Sequence, residues 1–180
     1  FLNGFPHQPT SISWLSDLSP LSSIVQTLPE HLSERARPLS NRESNPKGTF
    51  VLYWMHHAVR ADENPALDTA VALGTIMDCP LLVYQGLSGN HPFNSDRHHT
   101  FILEGARDVH FQLKERGIRH AFHLGQNPSI PGPLRNLIDT ASVVVTEDYP
   151  APPFKRWTQR LHDESSTPFL LVDAHCILPM

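Results

Sequence analysis

Thr49-Phe50-Val51-Leu52-Tyr53-Trp54 is a continuous run of β-forming residues, apolar after its first position, and its reading decides the fold. A strand with one wet face alternates apolar and polar residues. This run does not alternate, so it suits a strand buried on both faces, as in a parallel sheet. A polar loop follows over residues 56–63. Asn64-Pro65 then supplies an N-cap and a proline at the first helical position, where its missing N–H costs nothing. Ala66, Ala70, Leu73 and Met77 share one face of the helix that begins there.

The same unit recurs outward from that strand. Residues 80–84 form a second apolar strand, followed by a loop with Gly86, Gly89, Asn90 and Pro92. A helix over 96–116 carries a stripe of Ile102, Ala106, Val109 and Leu113, and Gly117 is a suitable stop. Residues 119–124 give the weakest strand signal, and 131–140 a short helix with Leu134, Leu137 and Ile138 inward. Residues 142–146 read as a buried strand. Phe154, Trp157 and Leu161 mark one more helical face, and 169–172 a fifth strand. Strands alternating with helices in this way predict an α/β fold. The expected form is a doubly wound, mostly parallel, five-stranded Rossmann-like sheet of order 3-2-1-4-5 with right-handed crossovers.

Residues 1–47 differ from this domain of residues 48–180. Proline and serine recur and no period holds, although short helices fit 21–28 and 30–36. The stretch reads as an irregular extension that wraps the domain or is partly mobile. The chain starts at Phe1, which points to a trimmed or processed start. It stops at Ile177-Leu178-Pro179-Met180, apolar and straight after a core strand, which suggests that the parent chain continues. A piece lacking its partner domain would self-associate weakly through the face left bare.

Composition narrows the function. The chain is 39% hydrophobic and 18% charged, as expected of a soluble globular protein. No apolar run is long enough to cross a bilayer, and the first residues lack a secretory layout. A net charge of -4 argues against a nucleic-acid-binding surface on this segment. Lys155, Arg156 and Arg160 read as a solvated helix face. Cys79 and Cys176 form no CxxC motif, and fit packed thiols in an intracellular protein, cytoplasmic or nuclear.

In an open α/β sheet, ligands bind beyond the carboxyl ends of the strands where strand order reverses. That point lies between the first and fourth strands. Its loops hold Trp54, Met55, His56, Arg60, Asn64, Glu147, Asp148 and Tyr149. Rings and charged groups together suit a planar ligand with polar edges, the plainer alternative being ordinary core packing. The first βα loop has no glycine, which argues against a dehydrogenase-type dinucleotide site, and no P-loop occurs. The doublets His56-His57 and His98-His99 are poor chelates, because neighbours on a strand or helix face apart; no metal is expected. No nucleophile elbow occurs, and Asp173, His175 and Cys176 read as a connecting segment.

Several segments carry a family resemblance. Residues 50–55, then Arg60 and Asn64-Pro65-Ala66-Leu67, resemble the opening strand and loop of class II cyclobutane pyrimidine dimer photolyases. Residues 34–40 resemble the arginine-containing lead-in of that class, and 97–105 its helix after the second strand. Val145-Thr146-Glu147-Asp148-Tyr149-Pro150 with Arg156-Trp157, and residues 172–179, are similar to its later segments. Glu147-Asp148-Tyr149, His56-His57 and residues 86–96 depart from it. The resemblance implies an N-terminal α/β domain, and a C-terminal helical domain, absent here, that holds FAD and damaged DNA. It also implies a possible deazaflavin or folate antenna in the α/β domain. Trp54, Met55, Arg60, Asp148 and Tyr149 are the expected antenna contacts. On this reading the chain has no catalytic residue of its own, its partners are the missing domain and, through it, DNA, and no membrane is involved. A cryptochrome-like light-signalling flavoprotein and a standalone α/β nucleotide-binding or interaction module are the competing readings.

Overall fold

The computed structural model describes residues 20–88, 95–125 and 132–179. Its centre is β2 (Val51–Trp54), buried at every residue and paired in parallel on both sides. One neighbour is β3 (Leu81–Ser88), the other β5 (Val143–Glu147). Beyond β3 lies β4 (Arg119–Gly125), and beyond β5 lies β6 (Phe169–Val172), both parallel. These five strands take the predicted order. β3 continues four residues past the predicted 80–84, because pairing with β4 extends to Ser88 opposite Gly125. The predicted loop glycine Gly89 and its neighbours to residue 94 lie outside the described residues.

The alternation of side chains along β2 divides the core in two. Val51 and Tyr53 face one side, with Val83, Val143, Val145, Leu170 and Val172. The helices α3 (Pro65–Ile76) and α4 (Asp96–Glu115) cover that side through Ala66, Ala70, Leu73, Val109 and Leu113. Leu52 and Trp54 face the other side, where α5 (Leu134–Thr140) and α6 (Phe154–Asp163) lie. The sheet is therefore covered on both faces, which is why β2 and β6 are apolar and buried at every residue.

Two predictions need correction. The first concerns the extension, which contributes a sixth strand. Residues 20–38 form α1 (Leu21–Val25), α2 (Glu30–Ser33) and β1 (Ala36–Pro38). Leu21, Ile24, Val25, Leu28 and Leu32 join the first core cluster. β1 runs antiparallel to β6 and covers what would otherwise be an open sheet edge. Pro38 is tolerated there because an edge strand need not donate on its outer side. Three residues have no strand periodicity of their own; pairing with β6 alone makes them a strand. The second correction concerns α6, whose buried residues are Thr158 and His162 rather than Trp157. His162 Nε2 bonds Ser40 Oγ at 2.9 Å and its ring meets Phe169 edge-on, which rotates the helix and leaves Trp157 43% exposed.

Gly48 and Gly105 give opposite expectations. A Cβ on Gly48 would lie 2.2 Å from the Ser142 backbone nitrogen, where residues 48–50 run against 140–142. Gly48→Ala should therefore cost about 1–3 kcal/mol. A Cβ on Gly105, inside α4, meets nothing within 4 Å. Gly105→Ala should instead stabilise by about 0.5–1 kcal/mol. Urea unfolding midpoints of the two variants check both signs.

Candidate functional site

β2 and β5 end side by side, and their last residues deliver the side chains of the predicted crevice. Glu147, the last residue of β5, is wholly buried. Its carboxylate accepts from Tyr53 Oη at 2.7 Å and from the His56 backbone N–H at 3.2 and 3.3 Å. His56 Nδ1 lies 3.0 Å from Glu147 Oε2. The other ring nitrogen of His56 lies 3.0 Å from Thr146 Oγ1, whose single hydroxyl proton goes to the Trp54 carbonyl. Glu147 and His56 thus meet side chain to side chain at the sheet's switch point.

Burial by itself would raise the Glu147 carboxyl, but hydrogen bonds and charge from His56, with the Tyr53 hydroxyl, more than offset it and hold the group below the ordinary range. The Tyr53 hydroxyl is pushed well above its usual value, by burial first and then by the Glu147 charge. The same hydroxyl accepts from Asn64 Nδ2 at 3.1 Å. Asn64 caps α3 as its sequence position suggests, accepting from Ala66 N and Leu67 N at 3.1 and 3.2 Å. The pair is thereby wired to the start of the first crossover helix.

Rings cover this pair. His57 stacks on Tyr149 with centroids 3.9 Å apart and meets Phe154 edge-on at 3.9 Å. His56 stacks on Phe154 at 5.3 Å, and Trp54 meets His56 edge-on at 5.1 Å. Past Trp54 the chain leaves the extended conformation, so the two histidine rings converge, Nδ1 to Nδ1 at 2.8 Å, instead of facing apart. Burial, then the neighbouring His56 charge, lower His57 from 6.5 to about 4, so it is neutral near pH 7.

The five expected contact residues fare differently. Tyr149 stands in the ring cluster, and Trp54 borders it with 7% exposure. Met55 is fully enclosed in the core on the far side of the sheet from Trp54. Arg60 is turned to the carbonyls of Glu63 and Ala174, at 3.1 and 2.8 Å. Asp148 is held bidentately by Arg37 of β1 at 2.6 and 3.0 Å. His57 and Phe154, which complete the cluster, were not among the expected contacts. Their signal was present as a histidine doublet directly after the central strand and an aromatic residue opening the next helix. Near the last strand, Asp173 Oδ1 accepts the backbone N–H groups of His175 and Cys176 at 3.1 and 3.0 Å. That aspartate shapes a turn.

At 3.9 Å the His57 and Tyr149 rings are already in van der Waals contact, so a third ring cannot lie between them. Arg60 and Asp148 spend hydrogen bonds on protein partners. A groove of about 540 Å³ lined by Lys155, Arg156, Gln159, Arg160, Asp163 and Glu164 lies along the outside of α6, away from the crevice. Among the described residues no group of three or more His, Cys, Asp or Glu could enclose a metal ion.

Two measurements bear on the site. Glu147→Gln removes a buried carboxylate that accepts from Tyr53 and His56 and should cost about 1–3 kcal/mol, read from denaturation midpoints. The pH dependence has a definite sign. The unfolded His57 takes up its proton near 6.5 and the folded one only near 4. Stability should therefore fall as pH drops through that window, and continue to fall below it as the depressed Glu147 carboxyl is protonated. His120, also lowered to about 4, adds to the same window. His57→Gln should flatten the slope between pH 6.5 and 4 relative to the unmodified chain.

With the geometry described, comparisons with known proteins can be placed on it. The family model for DNA photolyase matches residues 51–180, the whole sheet from β2 to β6. A deoxyribodipyrimidine photo-lyase of Methanothermobacter thermautotrophicus is 32% identical over 148 residues, covering 82% of this chain and 33% of that protein. The chain thus spans about a third of that relative's length. Among solved structures, a protein of Pseudomonas aeruginosa described as a universal stress protein superposes with a TM-score of 0.51 at 12% identity, over 93% of this chain and 61% of that one. A functionally unknown P. aeruginosa protein gives 0.50 at 11% identity, with the same coverage of 93% and 61%. Those two likenesses concern the fold alone. The family match and the identity to the archaeal relative agree, and this chain belongs to the DNA photolyase family.

Proposed function

We propose that this chain is the N-terminal α/β domain of a light-driven DNA repair enzyme that splits cyclobutane pyrimidine dimers, of the class II type. The observation that carries the reading is the family match over residues 51–180, which takes in every parallel strand of the sheet. A helical domain following residue 180 holds FAD and the damaged DNA, in keeping with the much greater length of the archaeal relative. Reduced FAD supplies the electron that opens the dimer under light. The net charge of -4 agrees with leaving DNA contact to that other domain.

The residues of this chain build the support on which such a domain rests. Arg35 ties the end of the described chain to its beginning, donating to the Cys176 and Ile177 carbonyls at 2.7 and 2.8 Å. The direction in which the chain leaves the last strand is therefore held by the segment before the first parallel strand. The crevice at the switch point is closed by its own rings, and the domain works without a pigment in it.

Light-dependent repair of a dimer-containing oligonucleotide by the full-length protein tests the reading. Repair under blue or near-ultraviolet light and none in the dark is the expected result. A flavoprotein that photoreduces but repairs nothing would favour light signalling, and a protein without flavin would favour a standalone binding module. Titration with a deazaflavin and with a reduced folate, followed by absorbance, should give no one-to-one binding. Stoichiometric binding that His57→Ala or Tyr149→Ala alters would overturn the closed-crevice reading and leave the repair assignment standing.

A further inference from the structure

Away from the crevice, two histidines on different elements meet nitrogen to nitrogen. His110 lies within α4 and His120 near the start of β4. The turn that joins these elements contains Gly117, whose φ of 72° lets the chain reverse tightly. The Nδ1 atoms of the two rings are 3.4 Å apart, the ring centroids 5.5 Å, and the planes are inclined by 47°. The nitrogens are thus the parts of the two rings that approach. The spacing is long for a direct bond, since N–H donors sit about 2.7–3.2 Å from their acceptors. It equals the separation of about 3.4 Å between two nitrogens each about 2.0–2.1 Å from one tetrahedral ion.

We propose that His110 and His120 form a two-nitrogen chelate for a divalent late transition-metal ion, Zn²⁺, Ni²⁺ or Cu²⁺, with water in the remaining positions. Imidazole suits these ions, and their affinity for nitrogen sites is the highest of the first-row series. The donors sit on a helix and a strand, not on loops, so little ordering is left to be done on binding. His110 is exposed, which gives an ion access. His120 Nε2 is enclosed without a hydrogen-bond partner, so Nδ1 is the nitrogen that the ring offers. Two protein ligands make an open, exchangeable site, distinct from the closed four-ligand sites that hold a fold together. The inference does not depend on the repair reading.

Titration of ZnCl₂ into the full chain at neutral pH, followed by calorimetry, tests it. One saturable equivalent is expected, with at least a tenfold loss of affinity in His110→Gln and in His120→Gln and no change in His98→Gln. Zinc should raise the melting temperature of the wild type and not that of His110→Gln. Because His110 is exposed, that variant should keep its circular dichroism spectrum, so lost binding reports the site and not unfolding. Absence of saturable binding, or a His110→Gln variant that binds as tightly as the wild type, overturns the proposal. Zinc-dependent shifts of imidazole resonances at His56 and His57 instead of His110 and His120 would overturn it as well.

Discussion

The buried carboxylate of Glu147 is the constraint on which the rest of this structure turns. An ion enclosed at the end of a central strand is tolerable only if every nearby donor serves it. Tyr53, from the neighbouring strand, donates to it; so do the backbone and ring of His56. These bonds lock the ends of β2 and β5 together at the point where the sheet's order reverses. Through Tyr53 and Asn64 the same network reaches the N-terminus of α3. The strand register, the first crossover and the ring cluster above are therefore parts of one arrangement.

That arrangement explains how the rings at the crevice come together. His56 is drawn inward by the carboxylate, which brings its neighbour His57 against Tyr149 and Phe154. Strand order places a ligand crevice at this position in many doubly wound proteins. Here the rings of His57, Tyr149 and Phe154 stand against one another at that position.

The segment before β2 has a comparable structural part. β1 closes the β6 edge, Arg37 takes Asp148, and Arg42 donates to the His162 and Ser165 carbonyls at 2.9 and 2.8 Å. Arg35 reaches the carbonyls after β6. Three arginines in eight residues thus tie one stretch of chain to the segments that follow β5, α6 and β6. Polar contacts of this kind carry no periodicity and cannot be read from spacing.

Much of the fold was legible in the sequence, because apolar runs such as 50–54 and 142–146 have one physical outcome, burial on both faces of a sheet. The Asn64-Pro65 cap and the α4 stripe followed from equally local rules, and the strand order was the one expected of a doubly wound sheet. What lay beyond the sequence depends on partners distant along the chain. Ala36, Arg37 and Pro38 become a strand because β6 offers an edge, and α6 turns His162 inward because Ser40 is there to receive it. The candidate site divides in the same way. Its location followed from strand order, and Trp54 and Tyr149 were foreseen at its border. Met55 faces the opposite side of the sheet, and the charge of a glutamate 91 residues away decides where His56 and His57 point. Local patterning determines which residues are buried; only the tertiary structure decides which buried groups meet, because the energy of an enclosed charge depends on what surrounds it in space.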